Sequence, residues 1–129
     1  MIEFLNEYRS IIHLFLHVLV PSLAAWVLVR FTGFSFWKIL LILVATMAVD
    51  ADHLVADPIY APNRCSIFFH PLHTLWPMVV YGLMTLWPVS LVFRNASITR
   101  RDELIGLVGL GLVIHMMLDY SDCVWMKGW

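Results

Sequence analysis

Histidine and aspartate residues recur in this chain at spacings that place them on shared faces of helices. His13 and His17 are four residues apart, and so are His115 and Asp119, so each pair lies on one face of an α-helix. Imidazole nitrogens and carboxylate oxygens are ligands that Zn²⁺, Fe²⁺ and Mn²⁺ accept in proteins. The spacing therefore predicts helices that present metal ligands in pairs.

All six histidines and four of the nine acidic residues, namely Asp50, Asp52, Asp119 and Asp122, belong to this set of potential ligands. A site for one ion needs three or four protein ligands, so this set is large enough for one or two divalent ions. We expect zinc first, with manganese or iron as alternatives. The candidate metal ligands are His13, His17, Asp50, Asp52, His53, His70, His73, His115, Asp119 and Asp122.

Two residues are candidates for catalytic roles. Asp52 lies about 200° around an ideal α-helix from Asp50, so it either points elsewhere or lies where the helix ends. A carboxylate that does not bind metal could act as a general base. Arg64 is the one cation that the sequence places near the cluster, and it could bind a phosphate group through two hydrogen bonds or pair with Asp57.

The elements that must position these groups are apolar enough to cross a membrane. Of the 129 residues, 61% are hydrophobic and 13% are charged, against about 45–50% and about 25% in a soluble domain. Four apolar stretches occur, at 11–29, 31–49, 72–93 and 104–118. The last spans only if it continues to about Trp125; otherwise it is a short buried helix. The sequence predicts an all-α membrane protein, a four-transmembrane-helix up-down bundle, as one domain over 1–129 with a functional loop at 56–71.

In such a bundle every candidate ligand lies at the same end. The short connections hold five basic residues and the other side holds three, which favours a cytoplasmic position for the connections. Both chain termini and the cluster would then face the periplasm or exterior. The basic residues of the connections are Arg30, Lys38, Arg94, Arg100 and Arg101, and those of the other side are Arg9, Arg64 and Lys127.

Further features bear on packing and partners. Cys65 and Cys123 lie near the cluster, either as a disulfide between the loop and the fourth helix or as two free thiols. Glycines 106, 109 and 111 would let a neighbouring backbone approach the fourth helix, which Thr99 or Ser97 could cap. The net charge of -1 gives no basic surface for nucleic acid.

Four short motifs together resemble a family of small uncharacterised bacterial inner-membrane proteins. They are Asp-Ala-Asp-His-Leu at 50–54, Asn-Arg-Cys-Ser-Ile at 63–67, Phe-His-Pro-Leu-His at 69–73 and His-Met-Met-Leu-Asp at 115–119. That family is similar to the membrane-bound metal-dependent hydrolases, and the last motif is also similar to one in zinc-dependent phospholipase C. The resemblance implies a metal site at Asp50, Asp52, His53, His70, His73, His115 and Asp119.

The expected function is hydrolysis of an amphipathic phosphoester or ester by metal-activated water, with a membrane lipid as partner. The same ligands would also suit a di-iron oxidase or hydroxylase of acyl chains. A non-enzymatic metal-binding subunit of a membrane complex is a third hypothesis, and haem ligation a fourth. A second copy of the chain or a larger membrane complex is a further candidate partner.

Overall fold

The computed structural model describes residues 8–59, 61 and 64–127 of the chain, and within these ranges it is all-helical. The main helices are α1 (Arg9–Leu28), α2 (Phe36–Ala45), α3 (Leu75–Phe93) and α4 (Arg100–Lys127). Two 3₁₀ segments accompany them, η1 (Thr46–Val55) directly after α2 and η2 (Pro71–His73) before α3. The described residues contain no strand.

Three of the helices are long and apolar enough to cross a membrane, namely α1, α3 and α4 over Arg100–Trp125. Only 17% of the apolar window of α1 and 6% of that of α3 is buried inside the chain. Their apolar side chains therefore face outward, which is the arrangement expected of a membrane protein. The fourth helix continues through Asp119 and Asp122, as the sequence predicts.

The predicted second span is not a single α-helix. Ser35 is extended, so α2 begins at Phe36 rather than near 31, and it ends after only ten residues. The Thr46 hydroxyl then donates to the Leu43 carbonyl at 2.6 Å, and the chain continues as the ten-residue segment η1. Long 3₁₀ runs are uncommon and often mark functional regions. Here the run carries Asp50 and Asp52.

Helix α4 is the centre of the packing, and its glycines allow close approach as predicted. A Cβ atom on Gly109 would lie 2.6 Å from the backbone nitrogen of Thr85 in α3. A Cβ atom on Gly111 would lie 2.7 Å from Cγ2 of Thr46. Real side chains do not come this close, so only glycine fits at these two crossings.

A disulfide joins Cys65, in the loop before α3, to Cys123 near the end of α4. The two Cα atoms are 5.1 Å apart, across a sequence separation of 58 residues. Cys123 belongs to a buried core with Val49, Ile67 and Met116. Of the two alternatives left open by the sequence, the structure forms the disulfide, which fixes the loop against α4.

Candidate metal centre

Asp119 lies at the centre of the polar cluster and is buried. Its Oδ1 atom is 3.3 Å from Nε2 of His13 and 3.4 Å from Nε2 of His17, both on α1. Its Oδ2 atom is 3.2 Å from Nε2 of His73 and 3.6 Å from Nε2 of His115. One carboxylate thus presents each of its oxygens to a different pair of imidazoles.

Asp50 completes the set around Oδ2 of Asp119. Its Oδ1 atom is 3.0 Å from Nε2 of His115 and 3.3 Å from Nε2 of His73. We call Asp50, His73, His115 and Asp119 the inner group, and His13, His17 and Asp119 the outer group. In each group the ligand atoms all lie within 4.8 Å of one another.

These separations fit the geometry of a metal site. Two ligand atoms at 2.0–2.1 Å from a tetrahedral zinc ion are about 3.3–3.4 Å apart, and the contacts above run from 3.0 to 3.6 Å. Nε2 of His17 and Nε2 of His73 are buried without a hydrogen-bond partner among the described residues. A buried nitrogen that lies beside carboxylate oxygens without a hydrogen bond to them is positioned to share a cation with them.

The opposite nitrogens of these two rings are held by hydrogen bonds. Nδ1 of His17 donates to the His13 carbonyl at 3.0 Å, and Nδ1 of His73 donates to Oδ2 of Asp52 at 3.1 Å. The backbone N–H of Leu72 donates to the same Asp52 oxygen at 2.8 Å. Each bond places the ring proton on Nδ1 and leaves the Nε2 lone pair for a metal.

Asp52 meets the cluster because η1 is a 3₁₀ helix. Two residues of a 3₁₀ helix turn by about 240°, against about 200° in an α-helix, so Asp52 lies about 120° from Asp50 the shorter way round instead of about 160°. Asp50 therefore contacts Nε2 of His73 while Asp52 contacts Nδ1 of the same ring. The sequence left the direction of Asp52 open, and the structure aims it at His73.

His73 lies outside the three candidate membrane spans, and the charge around it is strongly negative. Burial opposes protonation of its ring, but three carboxylates outweigh that effect and raise the pKa of His73 to about 10. The carboxylates belong to Asp119, Asp50 and Asp52. In the absence of any other cation the ring keeps a proton, so the site favours positive charge at Nε2, as a proton or as a metal ion.

A family model matches residues 7–126, which include every member of the inner and outer groups. The chain belongs to the family of unknown function DUF6122. No curated protein and no solved structure matches the chain. The similarity to membrane-bound metal-dependent hydrolases stays a prediction, because this DUF6122 match carries no activity.

Two further residues predicted as metal ligands, His53 and His70, lie beside the inner and outer groups. His53 has Nδ1 at 3.1 Å from the Asp50 carbonyl and Nε2 at 3.1 Å from Oγ of Ser66, so both nitrogens have non-metal partners. With Asp52 and His73 it forms a third set of potential ligands. His70 is buried and stacks on His53, with 3.7 Å between the ring centroids.

The remaining predicted residues, Asp122 and Arg64, have other partners. Oδ1 of Asp122 lies 3.3 Å from Nε of Arg9. Arg64 donates from its two terminal nitrogens to the carbonyls of Pro58 and Ile59, each at 2.7 Å. Within the described part of the chain, Arg64 makes no ion pair with Asp57. Its guanidinium holds the loop together.

From the sequence, Arg9 enters only as a charge that bears on topology, and Arg64 is the one cation expected near the cluster. The structure places Arg9 against Asp122, which lies three residues beyond Asp119 on α4. The available signal was its spacing, because Arg9 precedes His13 by four residues and so shares its helical face.

Proposed function

We propose that this protein is a membrane-embedded hydrolase with a two-ion centre formed by the inner and outer groups. The observation that carries the proposal is the position of Asp119, whose two oxygens each face a separate histidine pair. A carboxylate in this position can bridge two metal ions. Divalent ions bound there would lower the pKa of a water molecule and polarise an ester or phosphoryl oxygen.

The inner and outer groups differ in the number of ligands that they offer, and this difference suggests different roles. The inner group offers four ligands, enough to complete the coordination of a tetrahedral ion, and of these only the Asp50 side chain is exposed, at 42%. The outer group offers three ligands, and the His13 side chain is 29% exposed. Catalytic zinc sites characteristically have three protein ligands and one open position. We therefore assign water and substrate binding to the outer group.

The geometry favours a positioning role for Asp52 over the role of general base. Its Oδ2 atom already accepts hydrogen bonds from the His73 ring and the Leu72 backbone. Such a carboxylate orients a metal-binding histidine and increases its basicity. Asp52 therefore acts through His73.

The chain would cross the membrane four times, with α2 and η1 together as the second span. Ten α-helical residues at about 1.5 Å and ten 3₁₀ residues at about 2.0 Å cover about 35 Å, which exceeds the roughly 30 Å of a hydrocarbon core. Supporting features are the outward apolar faces of Leu41 and Trp37, which are 69% and 74% exposed. Four such spans would form the up-down bundle expected from the sequence.

The disulfide supports a periplasmic position for the cluster. Disulfides form and persist in oxidising compartments, and Cys123 lies one helical turn beyond Asp119. The basic residues of the short connections lie at the other end, as the positive-inside rule requires of a cytoplasmic side. We therefore place the protein in the bacterial inner membrane with its metal centre near the outer interface.

A membrane lipid, or another amphipathic ester or phosphoester, is the substrate class that this position favours. An apolar cavity of about 340 Å³ opens between α3 and α4 at the cluster end. Its lining includes Ile67, Tyr81 and Met116, and Met116 follows the inner-group residue His115. The cavity lies beside the inner group and would hold an apolar chain there, which supports an amphipathic substrate.

The test is to purify the protein in mild detergent, measure bound metals by mass spectrometry, and assay phosphoester and ester lipids. We expect about two zinc or manganese ions per chain, with metal and chelator-sensitive hydrolysis both reduced in His73→Ala. His70→Ala is the matched control, because it removes an equally buried histidine outside both groups.

Other outcomes would redirect or overturn the proposal. Stoichiometric iron with oxygen-dependent turnover would replace hydrolysis by acyl-chain oxidation. Bound metal without turnover on any lipid ester would indicate a metal-binding subunit. A folded wild type that takes up no metal, even after reconstitution, would contradict the metal centre itself.

A further inference from the structure

We propose that Arg9 is the anion-binding residue at the mouth of the outer group and that Asp122 occupies it until substrate binds. The inference rests on the proposed function and narrows its substrate to phosphoesters. Arg9 precedes His13 by four residues on α1, and Asp122 follows Asp119 by three residues on α4. Both residues therefore lie about one helical turn beyond the outer-group ligands, on the faces that carry them.

Side-chain exposure is greater at the two outer positions of this line, His13 and Arg9, than at His17. The side chain of His17 is 3% exposed, that of His13 is 29% exposed, and that of Arg9 is 25% exposed. The outer group thus opens toward solvent on the side where Arg9 and Asp122 meet. We place the approach of a ligand to the open coordination position on this side.

The ion pair is suited to exchange. Nε of Arg9 lies 3.3 Å from Oδ1 of Asp122, and the Asp122 side chain is 20% exposed. Ion pairs with access to solvent contribute little to stability, so a competing anion can displace the carboxylate. Once displaced, Arg9 offers a planar guanidinium, which matches the oxygens of a phosphate group.

The chemical class of the substrate follows from the two positive charges that it would meet, the outer-group metal ion and the Arg9 guanidinium. A phosphomonoester or phosphodiester brings an anionic oxygen for the outer-group metal and a second oxygen for Arg9. A neutral carboxylic ester has no second anionic oxygen and gains nothing from Arg9. The mouth therefore selects phosphate-bearing headgroups over neutral esters.

Arg64 provides a matched control for Arg9. Both are arginines at the cluster end, but the terminal nitrogens of Arg64 already donate to the Pro58 and Ile59 carbonyls. We therefore expect Arg64 to stabilise the loop without binding the anion. Arg9→Gln and Arg64→Gln remove the same charge, so a general electrostatic effect would change both variants alike.

The experiment measures binding of inorganic phosphate to the metal-loaded protein in detergent by isothermal titration calorimetry. We expect Arg9→Gln to weaken phosphate binding by about tenfold or more, because a charge-assisted hydrogen bond is lost. We expect Asp122→Asn to strengthen binding several-fold, because the competing carboxylate has lost its charge. Arg64→Gln should bind phosphate as the wild type does.

The expected changes in phosphate affinity have opposite signs in Arg9→Gln and Asp122→Asn. This difference distinguishes anion binding from a purely structural ion pair. If Arg9→Gln and Asp122→Asn weaken phosphate binding equally, or if metal-loaded wild type binds no phosphate, the inference is wrong. Metal content is measured in every variant, so that loss of the centre is recognised as such. Arg9-dependent phosphate binding without turnover on any phosphoester would contradict hydrolysis and leave the anion site standing.

Discussion

At the basic end of the bundle, polar side chains pair mostly with near neighbours in the sequence, whereas at the cluster end they pair across the chain. Thr99 and Asp102 bond to each other within the first turn of α4, where they are largely accessible. By contrast, His115 meets Asp50 across 65 residues, and Asp119 joins α1 to η2. Local pairs satisfy helix ends, while buried long-range pairs must hold several elements in register.

The two ends differ in the free energy that it costs to place polar groups there. An exposed hydrogen bond at a helix start costs little, because water can replace it. Buried imidazoles and carboxylates are expensive unless they are paired or bind a metal, and three of the cluster nitrogens have no hydrogen-bond partner among the described residues. The cost of buried polar groups is therefore concentrated at the cluster end, where we propose the metal centre.

Removal of the disulfide should have the largest effect on stability, and this effect should arise at the cluster end, because the disulfide constrains only that end. For a loop of 58 residues, Cys65→Ser with Cys123→Ser should lower the free energy of unfolding by about 4 kcal/mol. Metal affinity should fall with it, because Cys123 lies one turn beyond Asp119. Denaturant unfolding in detergent and metal titration measure the two effects. Reduction of the wild type should reproduce them, and equal stability of variant and wild type would contradict the account.

Alanine substitutions at two glycines of α4 test the same contrast between the two ends, with smaller expected effects on stability. A Cβ atom on Gly111 would meet Thr46, four residues before Asp50, whereas one on Gly106 would lie 2.6 Å from Cγ of Pro88 at the basic end. Each alanine variant should lose about 1–3 kcal/mol of unfolding free energy, but only Gly111→Ala should also weaken metal binding.

Gly82→Ala is the control for this pair, because nothing lies within 4 Å of a Cβ atom placed there. It should keep or slightly raise the stability, since alanine favours a helix more than glycine does. Equal loss of metal in the Gly106 and Gly111 variants would remove the distinction between the two ends.

The smallest effect is expected at the start of α4. Thr99→Ala removes the hydroxyl that donates to Asp102 at 2.6 Å and should cost about 1 kcal/mol of unfolding free energy. Thr99→Ser keeps the hydroxyl and should behave as the wild type does in thermal unfolding. Metal content should stay the same in both variants, and a loss in Thr99→Ala would show that the two ends are coupled.

Hydrophobic patterning predicted the coarse fold well, because the length of an apolar run is a local property. The all-helical class, three apolar spans and the passage of α4 through Asp119 and Asp122 all follow from it. The change from α2 to η1 at Thr46 does not, because residue preferences barely distinguish an α-helix from a 3₁₀ helix. That change depends on tertiary contacts such as those of Asp50 and Asp52 with His73.

The candidate site was predictable as a set but not as an arrangement. Helical spacing placed His13 with His17 and His115 with Asp119. Which oxygen of Asp119 faces which pair depends on how α1 lies against α4, and no local pattern encodes that. The loop histidines were equally ambiguous, because the turn at Pro71 decides that His73 enters the inner group and His70 stacks outside it.

The central claim is that Asp119 bridges two metal positions, and counting the ions on intact chains tests it most directly. Native mass spectrometry of the zinc-loaded protein released from detergent should find two ions on the wild type and one on His13→Ala. Asp119→Ala, which leaves three ligands in the inner group and two in the outer group, should hold at most one. A wild type without zinc, or an Asp119→Ala variant that still holds two ions, would contradict the account.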